Sequence, residues 1–175
     1  MKVLPDEERK KTALFIGRFQ PFHNAHLSDI RLALRECSRV IIAIGSSQEE
    51  NTKENPFSYG ERERMIRKAL KANKIADYDI IAVPDVNDNK KWVEHVRKIA
   101  KGFDIAYTGN DLTEKLFREK GMRVRKIRLI PHINATEIRK RILHGNDWKE
   151  LVPKEVSEVI ERIKGIERIT EINNK

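Results

Sequence analysis

The chain has 175 residues with 39% hydrophobic and 36% charged side chains, and its excess of basic residues gives a formal net charge of +9. We predict a flexible charged extension over residues 1–11 and one globular domain over residues 12–175, which is long enough to bury a sizeable core. The single cysteine, Cys37, excludes an internal disulfide, and no apolar run approaches the roughly 18 residues of a membrane span, so we predict a cytoplasmic protein without membrane contact.

Strand and helix signals alternate along the chain. Apolar runs predict five strands, at residues 12–16, 40–44, 78–83, 104–107 and 122–127. Helical spacing and capping residues predict helices at residues 24–36, 58–72, 90–101, 111–120, 134–143 and 153–163. Strands separated by helices are typical of a parallel sheet covered on both faces, so we predict an α/β fold that binds ligands at the carboxyl ends of its strands.

The first predicted strand ends at Gly17 and Arg18, and the helix that follows opens with His23 and His26. A helix N-terminus attracts anions, because its first N–H groups lack internal partners and its dipole is positive there. Arg18 and the two histidines add fork-like and titratable cationic donors. A metal site would need a third ligand at a recognisable spacing, and His26 alone would also suit a half-buried core position. Together, the pattern favours a phosphate site.

Two later segments carry candidate ligand-binding residues. Thr136 and Arg139 lie three residues apart near a predicted helix start, where they can hold a polyphosphate or serve as an ordinary cap and a surface arginine. Asn89 offers a donor and an acceptor, and Trp92 can stack on a flat heteroaromatic ring or pack as a structural tryptophan. Nearby carboxylates could bind a divalent cation, although such pairs are common on loops.

The chain lacks the phosphate-binding loop of P-loop kinases, the Gly-x-Gly-x-x-Gly fingerprint of dehydrogenases and the acidic cluster of two-metal polymerases. Cations and helix dipoles without an evident nucleophile suit nucleotidyl transfer, in which a substrate phosphate attacks. A basic nucleic-acid-binding module and a nucleotide sensor without turnover are the alternatives. The aromatic content of only 6% disfavours the first, because single-strand binding uses aromatic stacking platforms.

Residues 17–26, GRFQPFHNAH, resemble the GRFQPFHxGH signature of the archaeal-type nicotinamide mononucleotide (NMN) adenylyltransferases, members of the HxGH nucleotidyltransferase superfamily. The similarity continues at residues 45–48, 55–62, 89–93, 107–110, 136–141 and 151–153, and covers roughly residues 13–169. Ala25 stands where the signature has glycine, and Asn134 and Ala135 replace small Ser/Gly residues. We expect retained activity with altered affinity, because alanine costs no strain in a helix.

The resemblance implies a Rossmann-like, doubly wound parallel sheet with further C-terminal helices, and transfer of the adenylyl group of ATP to NMN, giving NAD and pyrophosphate. It implies Mg²⁺ bound with the ATP phosphates, no metal ligand from the protein, no nucleic-acid partner, and a homo-oligomer, often a hexamer. The implied ATP site comprises Gly17, Arg18, His23, His26, Gly109, Asn110, Thr136 and Arg139. Arg18, His23, His26 and Arg139 are its catalytic residues. The implied NMN site comprises Ser46, Asn89 and Trp92, with Trp92 stacking on the base. A sibling transferase acting on another phosphate monoester, such as a phosphopantetheine, flavin or glycerol phosphate, is the nearest alternative.

Overall fold

The computed structural model describes residues 11–128 and 130–174, so nearly all of the expected N-terminal extension lies outside the described residues. These residues form two compact units. The first comprises residues 11–17, 28–46 and 77–128, and the second comprises residues 18–27, 47–76 and 130–174. The single domain over residues 12–175 stays a prediction.

The first unit contains a sheet of five parallel strands: β1 (Thr12–Gly17), β2 (Arg39–Gly45), β3 (Tyr78–Val83), β4 (Ile105–Thr108) and β5 (Arg123–Lys126). Their order across the sheet is β3-β2-β1-β4-β5. The prediction of a five-stranded parallel sheet is confirmed, and the strand bounds agree to within one residue. The order reverses between β1 and β4, and such a reversal opens a crevice at the carboxyl ends of the strands.

Seven α-helices occur within the described residues: α1 (Asn24–Glu36), α2 (Tyr59–Ala72), α3 (Asn89–Ile99), α4 (Asp111–Glu119), α5 (Ala135–Leu143), α6 (Lys154–Arg162) and α7 (Gly165–Asn173). Helix α1 begins in the second unit and ends in the first. None of these helices is both long and apolar enough to span a membrane.

Helices cover both faces of the sheet in the first unit. Ala106 of β4 joins a buried cluster that includes Val96 of α3 and Phe117 of α4. Successive strand residues point to opposite faces, so Tyr107 points away from that cluster. Its hydroxyl donates a 2.7 Å hydrogen bond to Glu36, at the end of α1.

The second unit is helical. Helix α2 packs against α6, and α7 packs against both α5 and α6. The predicted start of α2 is confirmed: the Ser58 hydroxyl accepts from the Glu61 N–H at 3.3 Å, and the Glu61 carboxylate accepts from the Ser58 N–H at 2.9 Å. These reciprocal bonds satisfy two donors that the helix itself leaves unpaired.

The last two predicted helices are confirmed as α5 and α6, but the prediction missed α7, which follows α6 almost directly. Gly165 resembles a helix terminator in the sequence, yet it is the first residue of α7. A Cβ at this position would lie 2.9 Å from the Phe57 ring and 3.0 Å from Ile160, so the glycine serves close packing. Lys164 precedes it with φ of 55° and provides no side-chain cap, which leaves α7 without a start signal.

Candidate active site

The loop that leaves β1 is anchored to the start of α2 inside the second unit. Gln20 is 2% exposed, and its side chain donates to the Phe57 carbonyl at 2.9 Å while accepting from the Phe57 N–H at 3.0 Å. Arg62, fully buried, donates through Nη1 to the Arg18 carbonyl at 2.9 Å. These three bonds fix the loop just before the two histidines, so the loop is held in place by groups outside it.

Aromatic rings support His26 from two sides. The Phe19 ring approaches it edge-on at 4.8 Å between centroids, and the Phe22 ring stacks against it at 5.5 Å. Phe19 adopts φ of 53°, in the left-handed region that favours glycine, while its ring is only 1% exposed. Burial of the ring holds this strained backbone, and strain of this kind costs about 1–3 kcal/mol.

His23 and His26 form a stacked pair with ring centroids 3.5 Å apart and an interplanar angle of 16°. The His23 N–H donates to Nδ1 of His26 at 3.3 Å, and the His26 N–H donates to Nδ1 of His23 at 3.4 Å. An accepting Nδ1 carries no proton, so in the neutral ring Nε2 carries it. Each neutral histidine therefore carries its proton on Nε2, and an Nε2–H group can donate a hydrogen bond to a phosphate oxygen.

The two imidazoles are neutral at pH 7. Burial lowers the pKa of His23 to about 4. Burial, and then the charge of His23, lower the pKa of His26 well below its ordinary value. The expectation of cationic, titratable histidines at neutral pH is therefore corrected: they are neutral donors, and positive charge has to come from other groups.

Arg139 of α5 contacts the segment over residues 18–26, which leaves β1, carries His23 and His26, and is called the histidine loop below. Its Nη1 donates to the Gln20 carbonyl at 2.8 Å, and its Nη2 lies 3.5 Å from the Thr136 hydroxyl. Asn134 is the N-cap of α5, accepting from the Glu137 N–H at 2.8 Å. The cap is thus Asn134 and not Thr136, which leaves the exposed Thr136 hydroxyl beside the guanidinium.

Arg18 and Arg139 form a pair of neighbouring cations. Burial, and then the positive charge of Arg18, lower the pKa of Arg139, and Glu54 opposes them only in part. Within the described residues, neither guanidinium forms an ion pair with a carboxylate. Arg141, two residues further along α5, instead pairs with Glu137 and Glu150. An anion between Arg18 and Arg139 would relieve their mutual repulsion.

The remaining predicted ATP-site residues lie in the first unit, at the carboxyl edge of the sheet. Phe15 of β1 pairs with Tyr107 of β4, so Gly17 and Gly109 leave the sheet side by side. Asn110 caps α4 through its side-chain oxygen, which accepts from the Thr113 N–H at 2.9 Å. Its amide nitrogen is therefore the group suited to a ligand.

The predicted NMN residues follow other strands of the first unit. Ser46 comes directly after β2, is buried and has φ of 46°. Asn89 is the exposed first residue of α3, after β3. Trp92 is partly buried, with its ring edge-on to Phe117 at 5.7 Å. Packing of this kind is what a structural tryptophan would show, so stacking on a base stays a prediction.

The described residues offer cations and N–H donors, but not a protein-built metal centre. No group of three or more His, Cys, Asp or Glu side chains within residues 11–128 and 130–174 is placed to hold a metal ion. Of the loop carboxylates before α3, Asp88 pairs with Lys91 at 3.7 Å. The arginine and N–H groups at the histidine loop would repel a bare divalent cation. Such a cation would fit there only when the phosphates of a substrate carry it.

Sequence reasoning missed the anchors Gln20 and Arg62. Arg62 had a detectable signal, because it continues the apolar stripe of Met65, Ile66 and Ala69 at helical spacing. Burying a charged side chain is costly unless it forms hydrogen bonds. An arginine on the apolar face of a helix therefore predicts a buried hydrogen bond that holds the fold together. Gln20 gave no comparable signal.

Residues 14–141 match the family model described as cytidylyltransferase-like. This match covers most of the chain, including the sheet, the histidine loop and Arg139. The family match, the parallel sheet and the cation-rich loop after the first strand together show that the protein is a nucleotidyltransferase.

Two similar proteins identify the family within the nucleotidyltransferases. The nicotinamide-nucleotide adenylyltransferase of Methanococcus aeolicus is 46% identical, over 93% of this chain and 95% of the relative. That of Thermoplasma volcanium is 41% identical, over 94% of each chain. The chain belongs to the family of archaeal nicotinamide-nucleotide adenylyltransferases, and its reaction, adenylyl transfer from ATP to NMN, produces NAD.

A solved structure agrees with this assignment. A bifunctional NMN adenylyltransferase/ADP ribose pyrophosphatase from Francisella tularensis, complexed with AMP and a manganese ion, superposes with a TM-score of 0.78 at 27% identity. The similarity covers 94% of this chain but only 53% of that one, so the chain spans about half of the bifunctional protein.

Proposed function

We propose that Arg18, His23, His26, Thr136 and Arg139 bind the triphosphate of ATP and stabilise the departing pyrophosphate. The observation that carries the proposal is the 2.8 Å bond from Arg139 to the Gln20 carbonyl, which joins α5 to the histidine loop. It joins the Arg139 guanidinium to the segment that carries Arg18, His23 and His26, and neither arginine forms an ion pair with a carboxylate within the described residues. Preorganised donors of this kind stabilise charge that develops on a leaving group.

The reaction needs no general base from the protein. An oxygen of the ionised NMN phosphate attacks the α-phosphorus of ATP, and a new phosphorus–oxygen bond forms. The bond from the α-phosphorus to the bridging oxygen breaks, and its electron pair leaves with pyrophosphate. Arg18 and Arg139 neutralise the charge that accumulates there. His23 and His26 donate from Nε2 as neutral groups, so they fix the position of the phosphates without titrating at neutral pH.

Residues of the first unit make the remaining proposed contacts with the two substrates. Gly17, Gly109 and the amide of Asn110 border the adenosine end of ATP, where the order of strands reverses. Ser46, Asn89 and Trp92 bind NMN, and Trp92 stacks on the nicotinamide ring. Support for these roles comes from their positions at, directly after, or one loop beyond the carboxyl ends of β1, β2, β3 and β4.

The metal is Mg²⁺, carried by the phosphates of ATP. When bound, it neutralises negative charge on the phosphate oxygens. A cationic donor set fits a metal that arrives with its own anionic ligand. We further propose a homo-oligomer, often hexameric in this family. The cytoplasm remains the predicted compartment.

Mass spectrometry of the products from ATP, Mg²⁺ and a panel of phosphate monoesters tests the substrate. The panel contains nicotinamide and nicotinate mononucleotides, phosphopantetheine, flavin mononucleotide and glycerol phosphate. We expect dinucleotide and pyrophosphate from the pyridine mononucleotides alone. Preferential adenylylation of another monoester, or salt-dependent nucleic-acid binding without turnover, would contradict the proposal.

Trp92→Ala and the matched Trp92→Phe test the nicotinamide contact. We expect the alanine variant to raise the KM for NMN about tenfold while changing that for ATP little, because base stacking contributes about 1–3 kcal/mol. The phenylalanine variant should fall between the alanine variant and the wild type. Since Trp92 also packs on Phe117, thermal unfolding of each variant separates a lost stacking contact from a damaged fold.

A further inference from the structure

A groove of about 190 Å³ in the second unit extends from Arg139 along α5. Its lining residues are Lys53, Thr136, Arg139, Lys140, Leu143 and Asn173. Three of these six side chains are cationic, and none is acidic. Because Arg139 also bonds the Gln20 carbonyl, one guanidinium borders both this groove and the histidine loop.

Neither Lys53 nor Lys140 forms an ion pair within the described part of the chain, and both are exposed. Some other lysines of the same unit are paired: Lys149 bonds Glu161, and Lys154 lies 3.8 Å from Glu158. Lys53 and Lys140 join Arg139 as the three cationic side chains of the groove, and Glu54 offsets part of the charge at Arg139.

We propose that Lys53 and Lys140 bind the terminal phosphate of ATP, the phosphate furthest from the reacting phosphorus. The inference rests on the proposed function. If Arg139 holds the middle of the triphosphate, the chain of phosphates continues into the groove, and the lysines meet its most highly charged end. In the reverse reaction, the same lysines would bind inorganic pyrophosphate.

Binding measurements by calorimetry test the subsite with ATP, AMP and pyrophosphate as separate probes. The variants are Lys53→Ala, Lys140→Ala, the double variant, and Lys71→Ala as the matched control. Lys71 is an exposed lysine in the last turn of α2, outside the groove. Each single variant should weaken ATP about threefold and the double variant about tenfold, as expected for exposed charge pairs. AMP has no terminal phosphate, so its affinity should stay unchanged, while pyrophosphate should weaken with ATP.

Two results would overturn the inference: equal weakening of AMP and ATP, or the same loss of ATP affinity from Lys71→Ala as from Lys53→Ala. The second would show that only the overall charge matters. Lys53→Arg gives a further check, because it keeps the charge and should retain ATP affinity.

Failure of the lysine subsite and failure of the proposed function would give different experimental results. Failure of the wild type to form NAD would refute the proposed reaction while the lysines could still discriminate ATP from AMP. Normal NAD formation with unchanged ATP affinity in both lysine variants would refute only the subsite.

Discussion

Arg139 provides the sharpest test of the active site, because one substitution removes a cation and a bond to the histidine loop together. Arg139→Ala deletes the Nη1 donor that lies 2.8 Å from the Gln20 carbonyl. Loss of one preorganised donor to a developing charge typically lowers turnover by about 10²-fold to 10³-fold, or about 2.7–4 kcal/mol. Arg139→Lys keeps the charge but not the planar fork, so we expect a smaller loss of about tenfold.

Steady-state rates of NAD formation, with kcat and both KM values, measure this series. Arg141→Ala is the matched control, since Arg141 lies on the same helix but pairs with Glu137 and Glu150. We expect that control to stay within about twofold of the wild type, as is usual for surface substitutions. The reasoning is refuted if Arg139→Ala turns over as fast as the wild type, or if both arginine variants lose activity equally.

Three further predictions concern protonation and stability. His26→Gln keeps a side-chain N–H near the Nε2 position, so at pH 7 it should retain about tenfold more turnover than His26→Ala; equal rates would argue against a neutral donor. Burial raises the pKa of Asp29 to about 7, above its ordinary value of 3.8. The folded state is therefore penalised increasingly from about pH 4 to pH 7, and Asp29→Asn should raise the melting temperature by about 3 °C at pH 8 but not at pH 3.5, in thermal unfolding curves. Arg168→Met removes two hydrogen bonds to Glu61, at 2.6 and 2.8 Å, and should lower the free energy of urea unfolding by about 1–2 kcal/mol. Arg67→Met, which breaks the exposed pair with Glu63, should cost less than about 0.5 kcal/mol; similar losses from both would contradict the role of the Glu61 pair.

The sheet was predictable because its signals are local. A continuous apolar run such as residues 40–44 is buried on both faces, and its neighbours Arg39 and Gly45 mark where the strand ends. Helix α7 was not predictable, because its first residue, Gly165, is selected by close contacts with the preceding helix at Ile160 and with Phe57 from a distant part of the chain. Local propensity says nothing about such contacts, which exist only in the folded unit.

The candidate site also combines features that local sequence predicts with features that depend on the folded structure. The sequence indicated the residue types, since Arg18 and His23 follow a strand and Arg139 lies near the start of a helix. It did not indicate the charge state of the histidines. Burial decides that state, and burial arises from tertiary packing. The reciprocal bonds between His23 and His26 are local and fix which ring nitrogen carries the proton. The role of Gln20 was equally hidden, because its partners, Phe57 and Arg139, come from other segments.

In the proposed triphosphate site, two tasks fall to different side chains of the second unit, whereas the sequence pattern assigned both to one group of cationic donors. Charge comes from guanidinium groups, which remain ionised even where burial lowers the pKa of Arg139. Position comes from neutral imidazoles, held by Phe19, Phe22 and each other. A buried imidazolium would repel its stacked neighbour and the arginines and pay for desolvation, whereas a neutral Nε2–H donor avoids both penalties. The stacked pair can therefore direct two donors at one polyanion without adding to the repulsion that the anion must relieve.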